Sequence, residues 1–301
     1  MLNYCTKLTI ITPTYNRKEL LQRLYKSLCE QTCREFQWLV IDDGSTDSTQ
    51  ELMDKLVKQK EINVDYKRKK NGGKHTVLNY AHSYIKGRYV VVVDSDDLLT
   101  CDAVEKIIRK WERYDADKTV AGITFQRGKI GNGQTFDNSI EGEYQSTFAN
   151  ETNRGMHGDH CETVRTDLFR NFKFPEFSDE HFIAEGAMWY SITKNYKVVY
   201  TDEIVYLAEY LDGGLTKSGR VLHIKNPKGC MWHASVFLNK DFKLKVRTKN
   251  ALLYICYGNF AGIDKKTIIE KAAGEKNIIR ICWLAGWMLY RYWKVKYKFN
   301  E

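Results

Sequence analysis

Residues 89–97 read Tyr89-Val90-Val91-Val92-Val93-Asp94-Ser95-Asp96-Asp97. Five apolar positions run without interruption into three carboxylates. A strand that is apolar at every position is covered on both faces, as in a parallel sheet with helices on each side. Working outward, the same alternation repeats. Upstream lies a helical pattern at Thr76–Ile85, which Gly87 can close, and before it a short strand at Val64–Tyr66. Ser45 or Thr46 can cap a helix from Asp47 to about Gln59. Phe36–Ile41 is a strand closed by Asp42-Asp43-Gly44, and Lys18–Gln31 places Leu20, Leu21, Leu24 and Leu28 at helical spacing. Leu8–Ile11 is the first strand, ending at Pro13; downstream, a helix is expected from about Asp102 to Tyr114. This βαβαβ order predicts an α/β fold with a mainly parallel central sheet flanked by helices.

Beyond residue 115 the pattern loosens. A strand is expected at Thr119–Phe125, a loop or hairpin over the glycine-rich stretch Gly128 to Gly142, and two short strands at Val198–Tyr200 and Ile204–Tyr206. From about 221 the chain reads as helical, ending in an apolar and aromatic helix from Asn277 to about Trp293. The expected organisation is one large domain over 1–220, in two parts (1–115 and 116–220), followed by a helical C-terminal region (221–301).

Composition sets outer limits. The 301 residues are 43% hydrophobic, 28% charged and 13% aromatic, values of a folded globular chain rather than a disordered one. The net charge of +9 is concentrated at Lys67–Lys74 and in the C-terminal tail. Such a balance suits phosphorylated substrates, anionic membranes or nucleic acid. Its clustering argues against nucleic acid. The eight cysteines form no CxxC pair or zinc spacing and read as reduced, mostly buried thiols of a cytoplasmic protein. The first apolar run is a short strand rather than a signal peptide, and no stretch reaches the ~20 apolar residues of a spanning helix.

Ligands of open parallel sheets bind at the carboxyl ends of the strands. Three of these ends carry polar clusters: Thr12–Arg17, Asp42–Asp47 and Asp94–Asp97. Carboxylates crowded as in Asp94-Ser95-Asp96-Asp97 repel one another and call for a cation. Mg²⁺ or Mn²⁺ takes oxygen ligands and commonly bridges carboxylates to phosphates. An acidic turn would look the same in isolation. Asn71-Gly72-Gly73-Lys74 precedes a helix, where glycines permit close backbone approach and Lys74 adds charge for a diphosphate. It is not a P-loop, since GxxxxGK[ST] is absent. The first turn also lacks GxGxxG, which disfavours a dinucleotide-binding dehydrogenase.

Taken together, Thr12-Pro13-Thr14-Tyr15-Asn16-Arg17, Asp42-Asp43-Gly44-Ser45-Thr46-Asp47, Asn71-Gly72-Gly73 and Asp94-Ser95-Asp96-Asp97 closely resemble, in order and spacing, the family 2 glycosyltransferases of the GT-A fold. The resemblance carries its motifs over the first 115 residues or so. It implies an inverting transfer of a sugar from a nucleotide-diphosphate sugar, such as a UDP-sugar, to an acceptor hydroxyl, in cell-surface polysaccharide synthesis. It implies that Thr12, Tyr15 and Arg17 line the nucleotide end, that Asp42 binds the base, and that Gly72, Gly73 and Lys74 face the diphosphate. Asp94 would be the ribose-side and metal-side aspartate of a DxD motif, Ser95 would belong to the donor-binding set, and Asp96 would be a ligand of Mn²⁺ or Mg²⁺. Relatives often carry Ala-Arg-Asn after the glycine segment; here the residues are Val77-Leu78-Asn79, and Lys74 takes the missing charge's place.

An inverting transfer also needs a base for the acceptor hydroxyl. Relatives often have Glu-Asp before a helix at this point; this chain has Glu185-Gly186. Glu185 is the expected base, with Asp179 and Glu180 as alternatives. Trp189 would stack on a sugar or sit in the core. Asp159 would face the donor sugar or acceptor. Tyr210–Thr216 resembles the glycine-bearing segment that closes over donors in relatives. The apolar helix from Asn277, followed by basic Arg291 to Lys298, suits contact with an anionic membrane at the inner face of the cell membrane, and so a glycan or lipid-linked acceptor; packing on a protein would explain it equally. The competing readings are a nucleotidyltransferase and a non-catalytic glycan- or nucleotide-binding module. Oligomeric state is open.

Overall fold

The structure, a computed structural model, describes residues 4–136, 140–156, 158–208, 215–272 and 274–299, with backbone alone at 215–218. In chain order the elements are β1 (Thr6–Thr14), α1 (Lys18–Cys29), β2 (Phe36–Asp42), α2 (Thr49–Gln59), β3 (Val64–Arg68), α3 (Lys74–Ala81), β4 (Gly87–Val92), β5 (Leu98–Leu99), α4 (Ala103–Tyr114) and β6 (Val120–Lys129). They continue with β7 (Glu143–Ser146), α5 (Phe148–Arg154), β8 (Cys161–Arg165), α6 (Thr166–Asn171), α7 (Gly186–Thr193), β9 (Lys197–Ala208), α8 (Leu215–Lys225), α9 (Pro227–Val236), α10 (Leu244–Phe260), α11 (Lys265–Lys271) and α12 (Lys276–Lys296). The described residues form two compact units. One spans Met1–Phe148, Met156–Phe174 and Ile192–Glu209; the other spans Ala149–Gly155, Pro175–Ser191 and Tyr210–Glu301.

The first unit is built on one sheet, ordered β3-β2-β1-β4-β8-β6-β9-β5, with β7 paired to β9. Its run β3-β2-β1-β4 is parallel, because a helix long enough to cross back over the sheet separates each strand from the next. β8 runs antiparallel between β4 and β6, and β6 is again parallel to β9. All seven residues of β2 are buried, which is why it reads as apolar throughout. α1 contributes Leu21, Leu24 and Leu28 to the core, and α4 contributes Val104, Ile107 and Trp111. Tyr89 stacks on Trp111 with ring centroids 4.2 Å apart.

The two short strands expected at 198–200 and 204–206 are one strand, β9. Thr201 lies opposite Phe125, but Ile204 lies opposite the next residue, Gln126. Asp202 and Glu203 are therefore extra residues in a bulge, and their polarity reads as a turn. The bulge frees Glu203 to pair with Lys110 (2.5 Å) and Arg109 (3.1 Å) of α4. In the glycine-rich stretch a hairpin turn does form, with the Lys129 N–H donating to the Gln134 carbonyl at 2.8 Å.

The second unit is helical. Its core joins Ile224 of α8, Met231 of α9, Tyr254 and Ile255 of α10, Ile268 of α11 and Ile279 of α12. α10 and α12 approach closely at Gly286, where a Cβ would stand 2.7 Å from the Ile255 Cβ. Pro227 opens α9, a position where the missing N–H costs nothing. The orphan N–H groups of Lys228 and Gly229 donate to the two carboxylate oxygens of Glu180, both at 2.7 Å.

Candidate active site

The parallel register aligns the strand ends that carry the polar clusters. Thr14 pairs with Asp42, and Asp42 with Arg68. The Val93 N–H donates to the Ile11 carbonyl at 2.9 Å, so β4 feeds Asp94 onto the same edge. Asn16, with φ at 51°, links two of the segments. Its N–H donates to Ser45 Oγ at 2.9 Å and its Oδ1 accepts the Thr46 N–H at 2.7 Å.

Asp43 ties in the third segment. It is 4% exposed and accepts from Lys69 Nζ (2.8 Å), the Gly72 N–H (3.0 Å) and the Gly73 N–H (2.6 Å). Gly73 has φ at 89°, a left-handed conformation that favours glycine and turns the chain into α3. Asp42 is fully buried: Oδ1 accepts the Ser45 N–H and Oδ2 the Tyr66 hydroxyl, each at 2.7 Å. Thr12 is also fully buried, and its Oγ1 accepts the Trp38 indole N–H at 3.0 Å. Ser95 is 1% exposed. Of the residues expected to line the donor, Thr12, Asp42 and Ser95 thus lie beneath the edge. Tyr15, 46% exposed, stands on it.

On that edge Asp94, Asp96 and Asp97 bring one carboxylate oxygen each within 4.8 Å of one another, the group among the described residues suited to a metal ion. Arg17 Nη1 pairs with Asp96 Oδ1 at 2.8 Å, and Lys74 Nζ pairs with Asp94 Oδ1. Asp97 is held from behind. The Tyr206 hydroxyl donates to its Oδ2 at 2.6 Å, and Arg127 Nη2 lies 3.0 Å from the same oxygen. The Arg127 guanidinium covers the Tyr206 ring at 4.0 Å, and the Tyr206 oxygen accepts the Asp94 N–H at 3.1 Å. Asp159 lies 3.5 Å from Arg127 Nη1.

The carboxyls differ in their electrostatics. Burial opposes ionisation of Asp94, but Lys74, with Arg127 and Arg17, outweighs it and holds the group below its ordinary value. For Asp97, burial wins and raises the carboxyl to about 6, against Arg127 and the Tyr206 hydroxyl and reinforced by Asp94 and Asp96. An all-oxygen donor set of this kind fits Mg²⁺ or Mn²⁺. Asp94 and Asp96 have the more accessible carboxylates; an Asp97 oxygen is engaged by Arg127 and Tyr206.

Glu185 belongs to the second unit, directly before α7. It is half-buried, and its carbonyl accepts the Met188 N–H at 2.7 Å. Glu180 caps α9, and Asp179 pairs with Lys228 at 2.6 Å. Trp189 is 7% exposed, which places it in the interior. Residues 210–214 of the lid-like segment lie outside the described residues, as do the side chains of Leu215 and Thr216.

Lys69, Arg127 and Tyr206 were not expected at the site, and Asp43 belonged to the Asp42–Asp47 cluster without a role of its own. Arg127 carries little signal, since it follows the apolar run of β6 beside Gln126 and reads as the start of the glycine-rich stretch. Tyr206 carries none, because a strand tyrosine is ordinary core material.

A sheet edge with this carboxylate cluster is what the resemblance of the four motifs implied. The chain belongs to the family 2 glycosyltransferases: the family described as "Glycosyl transferase family 2" matches residues 9–173, more than half of its length. It is 24% identical over 176 residues to the Bacillus subtilis minor teichoic acid biosynthesis protein GgaB, covering 56% of this chain and 19% of that one. It is 33% identical over 193 residues to the Campylobacter jejuni GalNAc(5)-diNAcBac-PP-undecaprenol beta-1,3-glucosyltransferase, covering 62% of this chain and 60% of that one. Among solved structures it is similar to S. aureus TarS 1-349 in complex with UDP-GlcNAc, with a TM-score of 0.62, 21% identity, and coverage of 93% and 79%. The fold is GT-A, and the chain spans under a fifth of the length of the first curated relatives it matches.

Proposed function

We propose that the chain transfers a sugar, with inversion, from a UDP-sugar or similar donor to the hydroxyl of a glycan or lipid-linked acceptor. The setting is surface polysaccharide synthesis on the cytoplasmic side, at the inner face of the cell membrane. The observation that carries the reading is the Asp94–Asp96–Asp97 cluster at the edge where β1, β2 and β4 end. In this reading residues 1–115 bind the nucleotide, 116–220 the acceptor, and the helical region 221–301 contacts the membrane.

Asp94 and Asp96 would hold Mn²⁺ or Mg²⁺, which when bound offsets charge on the departing diphosphate. Arg17 and Lys74, which pair with these two carboxylates, would meet the donor's phosphates. Tyr15 is the exposed residue suited to the nucleotide, while Thr12, Asp42 and Ser95 shape the floor beneath it. Gly72 and Gly73 bring the backbone close to the diphosphate. Glu185 takes the proton of the acceptor hydroxyl as its oxygen bonds to the anomeric carbon and the bond from that carbon to the diphosphate breaks. The nucleoside diphosphate leaves with that electron pair.

Hydrolysis of a panel of sugar nucleotides, with Mn²⁺ and with EDTA, tests this. Metal-dependent release of UDP or GDP from one donor is expected, falling on the order of 100-fold or more in Asp96→Ala. Gly186, where relatives often place an aspartate, favours a second reading as a glycan-binding module. That reading gains if Asp96→Ala leaves glycan affinity intact and no donor turns over with acceptor present.

A further inference from the structure

We propose that the outward face of α12 is a docking surface for an anionic lipid bilayer. α12 has two apolar faces. Ile278, Ile279, Cys282, Gly286 and Trp293 are buried in the core of the helical unit. On the other side Ile281 (83%), Leu284 (65%), Met288 (51%), Tyr292 (57%) and Val295 (78%) are exposed. Their spacing of three and four residues sets them in a single stripe along the helix. Single exposed apolar residues need no explanation, but a contiguous stripe marks a contact surface.

Charge selects the occupant. From Lys276 to Phe299 there is no Asp or Glu, and there are six Lys and Arg residues. Arg280 and Arg291 flank the stripe on the side of exposed Trp287, and Arg291 lies over the Trp287 ring at 5.6 Å. Lys296, beyond Tyr292, lies over that ring at 5.4 Å. Such side chains lay their stems along an apolar surface and present cations to phosphate headgroups, where Trp and Tyr also prefer to sit. Against a second copy of this chain, the same residues would bring like charges together. A helix lying in the interface satisfies both features: its apolar stripe enters the acyl boundary while its cations meet anionic lipid. Among the described residues no helix is long and apolar enough to cross a membrane, and the inner face of α12 is already committed to the protein core. The inference deepens the membrane contact proposed above for residues 221–301 and stands or falls independently of sugar transfer.

Cosedimentation of the full chain with vesicles tests it. Vesicles of phosphatidylcholine mixed with phosphatidylglycerol should retain the protein, pure phosphatidylcholine much less, and added salt should weaken retention. The variant I281D/L284D/M288D should lose at least tenfold in vesicle affinity. Its circular dichroism, thermal midpoint and sugar-nucleotide hydrolysis should be unchanged, because these side chains are exposed. R280Q/R291Q should weaken binding and flatten its salt dependence. Equal retention on both vesicle types, or retention untouched by the aspartates, would overturn the proposal. So would a loss of self-association in the aspartate variant without any vesicle binding by the parent chain, which would make the stripe a protein interface.

Discussion

The hydroxyl of Tyr206 makes two contacts at once: it donates to Asp97 Oδ2 and accepts the N–H of Asp94. It therefore ties the Asp97 carboxylate to the backbone of Asp94. Tyr206→Phe keeps the packed ring but leaves the part-buried Asp94 N–H without this acceptor and Asp97 Oδ2 to Arg127, at a cost of about 1–3 kcal/mol. The Mn²⁺ concentration for half-maximal hydrolysis should rise roughly tenfold by the same principle, with a smaller change in donor KM. Equal changes in both would mean that Tyr206 does not position the cluster. The carboxylates were legible in the sequence because they end an apolar strand and stand in order with three other motifs. Tyr206 and Arg127 were not, because their partners stand 109 and 30 residues away and only the sheet brings them together.

Among the elements, the helix after the glycine segment was read from Thr76 but begins at Lys74, since Gly73 supplies the turn. Most strands and helices of the first 115 residues were readable as apolar periods, but β5, two residues long at Leu98–Leu99, has no period to read. The strand β9 was split in the reading, because a bulge and a turn both present polar residues between apolar ones. The packing of α10 on α12 had no local signal at all. Gly286 is the point of closest approach, so Gly286→Val should overpack it against Ile255 and cost about 1–3 kcal/mol or more. Urea unfolding would show this as a lowered midpoint of the transition that reports the helical unit. An unchanged midpoint would mean that the two helices separate there at little cost.

For the molecule as a whole, each unit carries a histidine whose proton is excluded. Burial lowers His82 in the first unit and His233 in the second to about 4, with nearby cationic groups adding to the effect. The unfolded chain protonates these groups near 6.5 while the folded chain does not. Their contribution to stability is therefore complete above that pH and is lost progressively as pH falls toward 4. Denaturant midpoints measured across this window should decline. His82→Gln should flatten the decline for the sheet unit, and His233→Gln for the helical one; parallel curves for variant and parent would show the histidines to be uninvolved. The fold class was legible from the whole pattern of alternation, and the C-terminal region from about 221 was legible as helical.

The pairing of Lys74 with Asp94 and of Arg17 with Asp96 has a thermodynamic consequence. Cations already neutralise the carboxylates that a divalent ion would use, so ion and side chains compete. In the proposed reading, a diphosphate that drew Lys74 and Arg17 away would relieve that competition, and an ion held by the aspartates would release the same two side chains toward phosphate. Reciprocity then requires that each ligand tighten the other by one common factor. Calorimetric titration of Mn²⁺ with and without UDP, and of UDP with and without Mn²⁺, should return equal ratios well above one. In Lys74→Ala the shared factor should shrink. The acidic edge would then behave as a coincidence detector, slow to fill with either ligand alone and filled readily when both are present.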